Sequence, residues 1–150
     1  MRDTVIESLK KKDSGTTGKG MDRAREILEA ARTLFAAAGY AGLSMRGVAA
    51  AVGVSLSTVQ HYYRDKDTLL EAVLLYQMDQ YQAAVVELSG ALADAGPEAR
   101  LRAAMALFLA EARRPEVGGV FMEIWSLANR HPAAARVLEQ VRVRERKQFM

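Results

Sequence analysis

The segment Ser44-Met45-Arg46-Gly47-Val48-Ala49-Ala50-Ala51-Val52-Gly53-Val54-Ser55-Leu56-Ser57-Thr58-Val59-Gln60-His61-Tyr62-Tyr63 constrains the fold more than any other part of the chain. Serine is a preferred helix N-cap because its hydroxyl accepts one of the amide hydrogens that the first turn leaves unpaired. Ser44 therefore predicts the start of one helix and Ser55 the start of the next. Between them Gly53 falls where the first helix must end, in a left-handed conformation that glycine accepts without a Cβ penalty. Val48, Ala49, Val52, Val54 and Val59 supply small apolar contacts where two crossing helices approach closely, and Ser57, Thr58, Gln60, His61 and Tyr62 are left for other faces. Two short helices about such a corner form a helix-turn-helix, whose second helix enters a DNA major groove.

Charge points the same way. No acidic residue lies between Ala30 and Arg64, and the only full cations in that stretch are Arg32, Arg46 and Arg64. Residues 1–66 hold 11 Lys and Arg against 7 Asp and Glu, whereas residues 67–150 hold 10 against 11, so the formal net charge of +3 resides in the first half. Such an asymmetry favours a polyanionic partner.

Other chemistries are poorly served. The chain has no cysteine and 2 histidines, with no Gly-x-Ser-x-Gly motif and no paired-histidine metal spacing, so neither an enzyme, a metal site nor a cofactor is expected. Gly18-Lys19 suggests a phosphate-binding loop, but that motif needs glycine at position 13 and Ser or Thr at position 20, where Asp13 and Gly20 stand. Lys10-Lys11-Lys12 is not followed by the apolar run of a secretory signal, and no stretch approaches the roughly 20 apolar residues of a membrane span. A cytoplasmic protein without a membrane partner is expected.

Along the chain, residues 1–20 read as a flexible arm, with little apolar material to bury. Ala24, Ile27, Leu28, Ala31, Leu34, Phe35 and Ala38 follow the three-four spacing of an amphipathic helix from Asp22 to Ala38, capped by Asp22 or a neighbour and stopped by Gly39. Asp65 caps a long helix from about Lys66 to Leu88. Gly90 and Gly96-Pro97 bracket a linker, and Pro97 opens a helix to about Arg113. Breaks at Pro115, Gly118-Gly119 and His131-Pro132 predict further helices near 119–130 and 132–150. No window alternates like a strand. The fold class expected is all-α with about seven helices: a helix-turn-helix domain over 21–66, then a helical domain over 67–150.

Taken together, Ile27-Leu28-Glu29-Ala30-Ala31, Leu34-Phe35, Gly39-Tyr40, Ser44-Met45-Arg46, Val48-Ala49, Gly53-Val54-Ser55, Thr58-Val59, Tyr62-Tyr63, Lys66 and Leu69-Leu70 resemble the N-terminal domain of TetR/AcrR-type transcriptional regulators, in order and without a gap. The resemblance implies a homodimeric repressor that binds a palindromic double-stranded DNA operator and leaves it when a small hydrophobic effector binds the C-terminal helices. The positions matching the family's DNA contacts are Ser44, Met45 and Arg46, then Ser55, Leu56, Ser57, Thr58, Gln60, His61, Tyr62 and Lys66. Arg46 and Lys66 are long cations suited to phosphates, and Ser57, Thr58, Gln60 and His61 have groups suited to base edges. The family usually has tyrosine where Gln60 stands, so either a phosphate contact is lost or an amide able to pair with adenine is gained. Tyr63 is expected to pack between helices.

For the effector, Tyr81, Met105, Phe108, Phe121, Met122 and Trp125 are the candidate lining, adaptable apolar material at helical spacings, with Glu123 and Asn129 as polar contacts. The competing reading of these residues is ordinary core. The resemblance implies two further helices that form the dimer interface; the sequence stops at Met150 inside a segment expected to be helical, so the expectation is either a truncated product or dimerisation through another surface. The alternative to a regulator is an all-helical ligand carrier or protein-interaction module that does not bind DNA.

Overall fold

The protein's structure, a computed structural model, describes residues 18–149, with side chains through residue 143. The described residues form α1 (Gly18–Gly42), α2 (Met45–Val52), α3 (Leu56–Tyr62), α4 (Lys66–Ala91), α5 (Pro97–Arg113), α6 (Pro115–Ala128) and α7 (Pro132–Phe149). There is no strand among them. Most of the arm expected over residues 1–20 lies outside the described residues, but 18–20 belong to α1. That helix starts ahead of Asp22, whose carboxylate lies 3.7 Å from the Arg25 guanidinium instead of capping the first turn.

α1 buries Ala24, Ile27, Leu28, Ala31 and Phe35 along one stripe, as its three-four periodicity requires. Gly39 does not end it outright. Its backbone sits at φ 63, ψ −164, a region essentially closed to residues with a Cβ. The chain kinks there and closes one more turn, in which the Leu43 amide donates to Gly39 O at 3.2 Å.

The corner between α2 and α3 forms as the caps predict. Ser44 Oγ accepts from the Gly47 amide at 3.0 Å. At the far end Gly53 is left-handed, at φ 73 and ψ 36. Its amide donates to Ala50 O at 3.3 Å and that of Val54 to Ala49 O at 3.0 Å, the paired bonds of a Schellman motif. Val48, Ala49 and Val59 are buried at the crossing. Tyr63, 1% exposed, follows α3 and donates its phenolic hydrogen to Ala24 O at 3.0 Å, so one side chain fixes the helix pair to α1. Burial pushes its phenol well above the ordinary tyrosine range.

Asp65 caps α4 by accepting from the Thr68 amide at 2.8 Å. The first half of α4 buries Leu69, Leu70, Ala72, Val73, Leu74 and Gln77; α6 adds Val117, Val120, Ile124 and Leu127, and α7 adds Ala133, Ala134 and Val137. All but Gln77 and Val117 join the α1 to α3 residues in one continuous core, so the boundary expected after residue 66 crosses shared packing. Gly90 and Gly118-Gly119, expected as breaks, lie inside α4 and α6. The two in α6 permit close approach: a Cβ on Gly119 would sit 2.7 Å from Ala36 O in α1, and one on Gly118 would sit 2.2 Å from Ala112 O in α5. α5 itself has no buried residue.

Candidate nucleic-acid interface

The polar side chains of α3 radiate from a hydroxyl cluster at its first turn. Ser55 Oγ accepts the Thr58 amide hydrogen at 3.1 Å and lies 2.8 Å from both Ser57 Oγ and Thr58 Oγ1. The three hydroxyls therefore share hydrogens with one another and hold the turn. Further along, Gln60 and His61 are exposed, and neither has a hydrogen bond or ion pair among the described residues. The His61 and Tyr62 rings meet edge to face at 5.1 Å. Tyr62 and Met45 are half-buried and pack against the core, and Leu56 is half-buried. Of the eleven expected DNA-contact positions, Met45, Leu56, Thr58, Tyr62 and Lys66 are half-buried, and the other six are exposed.

The cations of the acid-free stretch divide in the same way. Arg32 turns inward: its guanidinium pairs with Glu29 at 2.9 Å and donates to Gln77 Oε1 at 3.4 Å. Tyr76 donates to the same Glu29 carboxylate, and burial, followed by that carboxylate, pushes its phenol up to about 12. Arg64 pairs with Asp65 at 2.9 Å. Arg46 is exposed, and no ion pair or hydrogen bond engages it among the described residues. One cation is thus fully available beside the first helix start.

Lys66 lies where α4 begins, immediately past the turn that follows α3. Its ammonium donates to Tyr40 O at 2.7 Å and sits 3.8 Å from the Tyr40 ring centroid. An ammonium carries three donors, so these contacts orient the group without exhausting it. Tyr40 is in turn gripped elsewhere. Its amide donates to Glu123 Oε1 in α6 at 3.1 Å and its phenol to Asp67 Oδ1 at 3.1 Å. The His131 ring packs 4.5 Å from the tyrosine ring, with Nε2 3.5 Å from Asp67 Oδ1. Burial, and then Asp67, raise the Tyr40 phenol. Sequence reasoning expected Lys66 but not this cluster; the Gly39-Tyr40 pair at the end of α1 was the visible signal.

The six expected effector-lining residues divide between one ring contact and a set of exposed positions. Tyr81 and Phe121 meet edge to face at 5.5 Å, joining α4 to α6. Met105, Phe108, Met122 and Trp125 are exposed on α5 and α6, with Trp125 67% and Met122 75% accessible. They follow helical spacing but lie on the faces turned away from the core. Glu123, expected as a polar contact for a ligand, holds the Tyr40 amide instead, and Asn129 is exposed at the end of α6. Among the described residues there is no His, Asp and Glu grouping able to hold a metal ion, and no helix long and apolar enough to cross a membrane.

Residues 27–73 match the family model of the bacterial regulatory proteins of the tetR family. The chain is 31% identical over 123 residues to the HTH-type transcriptional regulator BetI of Burkholderia mallei strain NCTC 10229, covering 81% of this chain and 62% of the relative. It is 32% identical over 124 residues to BetI of Paraburkholderia xenovorans strain LB400, with the same coverage. The chain thus spans 62% of the length of these relatives. A transcriptional regulator from Rhodococcus sp. Rha1 superposes with a TM-score of 0.68 at 29% identity, over 79% of this chain and 62% of that one. The matched residues run from α1 through the capped corner into the first half of α4, the same elements that carry the polar face of α3, Arg46 and Lys66. Residues 27–73 are thus those of the tetR family of bacterial regulatory proteins, and the likeness to its members extends over 81% of the chain.

Proposed function

We propose that this chain is a transcriptional regulator that reads double-stranded DNA with α3 and responds, through α4 to α7, to a small hydrophobic effector. The observation that carries the reading is the outward polar face of Ser57, Gln60 and His61 on a doubly capped corner, flanked by the guanidinium of Arg46, which is unpaired among the described residues. Gln60 and His61 have free polar groups for base edges, and an amide side chain suits adenine. Arg46, Lys66 and the amides at the start of α2 carry the phosphate contacts that fix orientation on the duplex. Ser44, Ser55 and Thr58 contribute mainly by shaping the turns.

A homodimer is the form in which such a head reads a palindromic operator, its two α3 helices about 34 Å apart so as to meet successive major grooves. Repression is the mode proposed, with effector binding to the C-terminal helices releasing the operator. The test is selection of bound sequences from a random duplex library, with oligomeric mass measured in the same buffer and affinity followed against salt. A regulator enriches a palindrome, and log affinity falls linearly with log salt at a slope of about −0.9 per phosphate contacted. A dimer that binds no duplex even at low salt refutes the reading.

A further inference from the structure

We infer that Tyr40 is a positioning residue for DNA binding: it sets Lys66 in place and is itself held by Glu123, so that α6 governs a phosphate contact it does not touch. The inference rests on the DNA-binding reading above and adds to it a route between the C-terminal helices and the reading head.

The geometry singles out Tyr40 because each of its polar groups is engaged by a different residue of another helix. The amide goes to α6 through Glu123, the carbonyl to the first residue of α4 through Lys66, and the phenol to the second residue of α4 through Asp67. The ring is covered by His131 from the turn between α6 and α7 and by the Lys66 ammonium. Tyr40 also lies one residue past the Gly39 kink and four before the Ser44 cap, inside the one turn that joins α1 to the helix pair.

Gly39 is what allows Glu123 to reach that amide. A Cβ there would lie 2.8 Å from Glu123 Oε1, and a backbone carrying one would not adopt φ 63, ψ −164. The bare backbone thus leaves a slot that the carboxylate fills. α6 is pressed on α1 at Gly119, so a shift of α6 along α1 moves Glu123 relative to Tyr40. Once the amide is released, the carbonyl and ring that orient Lys66 are no longer fixed, and its ammonium meets a phosphate only after losing rotamer freedom that the free protein had already given up.

The experiment uses the full chain with a duplex from the library selection. Glu123→Ala is expected to speed exchange of the Tyr40 amide hydrogen about tenfold or more in the DNA-free protein, and to reduce the salt slope of binding by about 1, the share of one phosphate contact. Glu123→Gln keeps an acceptor oxygen and should preserve both values. Lys66→Ala should reduce the slope by about 1, and adding Glu123→Ala to it should reduce the slope no further. If Glu123→Ala does not fold, Glu123→Asp, which withdraws the carboxylate by one methylene, carries the same expectations. An unchanged Tyr40 exchange rate in Glu123→Ala, a loss in Glu123→Gln as large as in Glu123→Ala, or a further drop of slope in the double variant overturns the inference while leaving the regulator reading intact. Failure of the unmodified protein to bind any duplex overturns that reading, and this inference with it.

Discussion

Replacing Gly39 by alanine places a methyl carbon 2.8 Å from Glu123 Oε1 and 3.1 Å from Glu123 Cδ. Two effects follow. Holding a residue with a Cβ in this backbone region costs on the order of 1–3 kcal/mol. The displaced carboxylate also gives up the Tyr40 amide, and a hydrogen bond to a charged group contributes about 1.5–3 kcal/mol, with the lower end apt because Glu123 is half-buried and water takes the amide's place in part. Together these come to roughly 3 kcal/mol, or about 2–2.5 kcal/mol once the stiffer unfolded chain of the alanine variant is set against them, a fall in Tm of about 7 °C for a chain of this size. Gly53→Ala is the control. Its backbone is also left-handed, at φ 73, but a Cβ there meets nothing within 4 Å. The cost is then about 1–2 kcal/mol of backbone strain, offset by about 0.4–1 kcal/mol from the stiffer unfolded chain, and Tm falls by only about 1–4 °C. Calorimetry on both variants tests the difference. Equal losses, or a larger one for Gly53→Ala, would show that the Glu123 slot contributes nothing at Gly39.

Arg46→Ala should weaken binding to all duplexes alike and reduce the salt slope by about 1, whereas Gln60→Ala should lose about 1–3 kcal/mol on the selected site and relax one base position; equal losses on selected and random DNA would contradict the role given to Gln60. Ser55→Ala removes both the α3 cap and the centre of the hydroxyl cluster, and should lower stability by about 1 kcal/mol in denaturant titrations. The Thr68 amide and hydroxyl, then Arg64, hold the Asp65 carboxyl down at about 2, below its ordinary 3.8. Because the folded value is the lower one, its stabilisation is complete above about pH 4 and is lost as the pH falls toward 2. The Tm difference between the unmodified protein and Asp65→Ala should therefore be widest near pH 5 and close by pH 2, and a constant difference would disprove the linkage.

What could be read from the residues in advance was local. Ser44, Ser55 and Asp65 cap because the hydroxyl or carboxylate and the amide it meets lie within three residues of each other, and Gly53 and Pro97 act within their own turns. The all-α class followed from periodicity. Glycine was misread where its reason was another element: Gly118 and Gly119 looked like breaks, but they make room for Ala112 O and Ala36 O, which no local pattern shows. Arg32 looked like part of a cationic patch until Gln77, 45 residues away in the chain, appeared beside it. The apolar positions of α5 and α6 had the right spacing for a lining, but spacing fixes which residues share a face and not which way that face turns. Tyr40 stayed unnoticed for the same reason, since three of its four partners lie at least 27 residues further on and the fourth, Lys66, lies 26 residues on.

A helix with no buried residue has little to lose by coming apart. α5 is anchored to the rest by the close backbone approach at Gly118 and by Arg100, which donates to Leu92 O and Ala93 O at its start, while Leu101, Met105, Phe108 and Leu109 all remain in contact with water. Opening it forfeits backbone hydrogen bonds and partial contacts but no fully buried side chain, so its amide hydrogens should exchange through local fluctuations far more often than the molecule unfolds. The amides of α1 at Ile27, Leu28 and Phe35, packed at zero to 1% exposure, exchange only when the whole core opens. Exchange is therefore expected to be slow where α1 supports the α2–α3 corner and fast around α5.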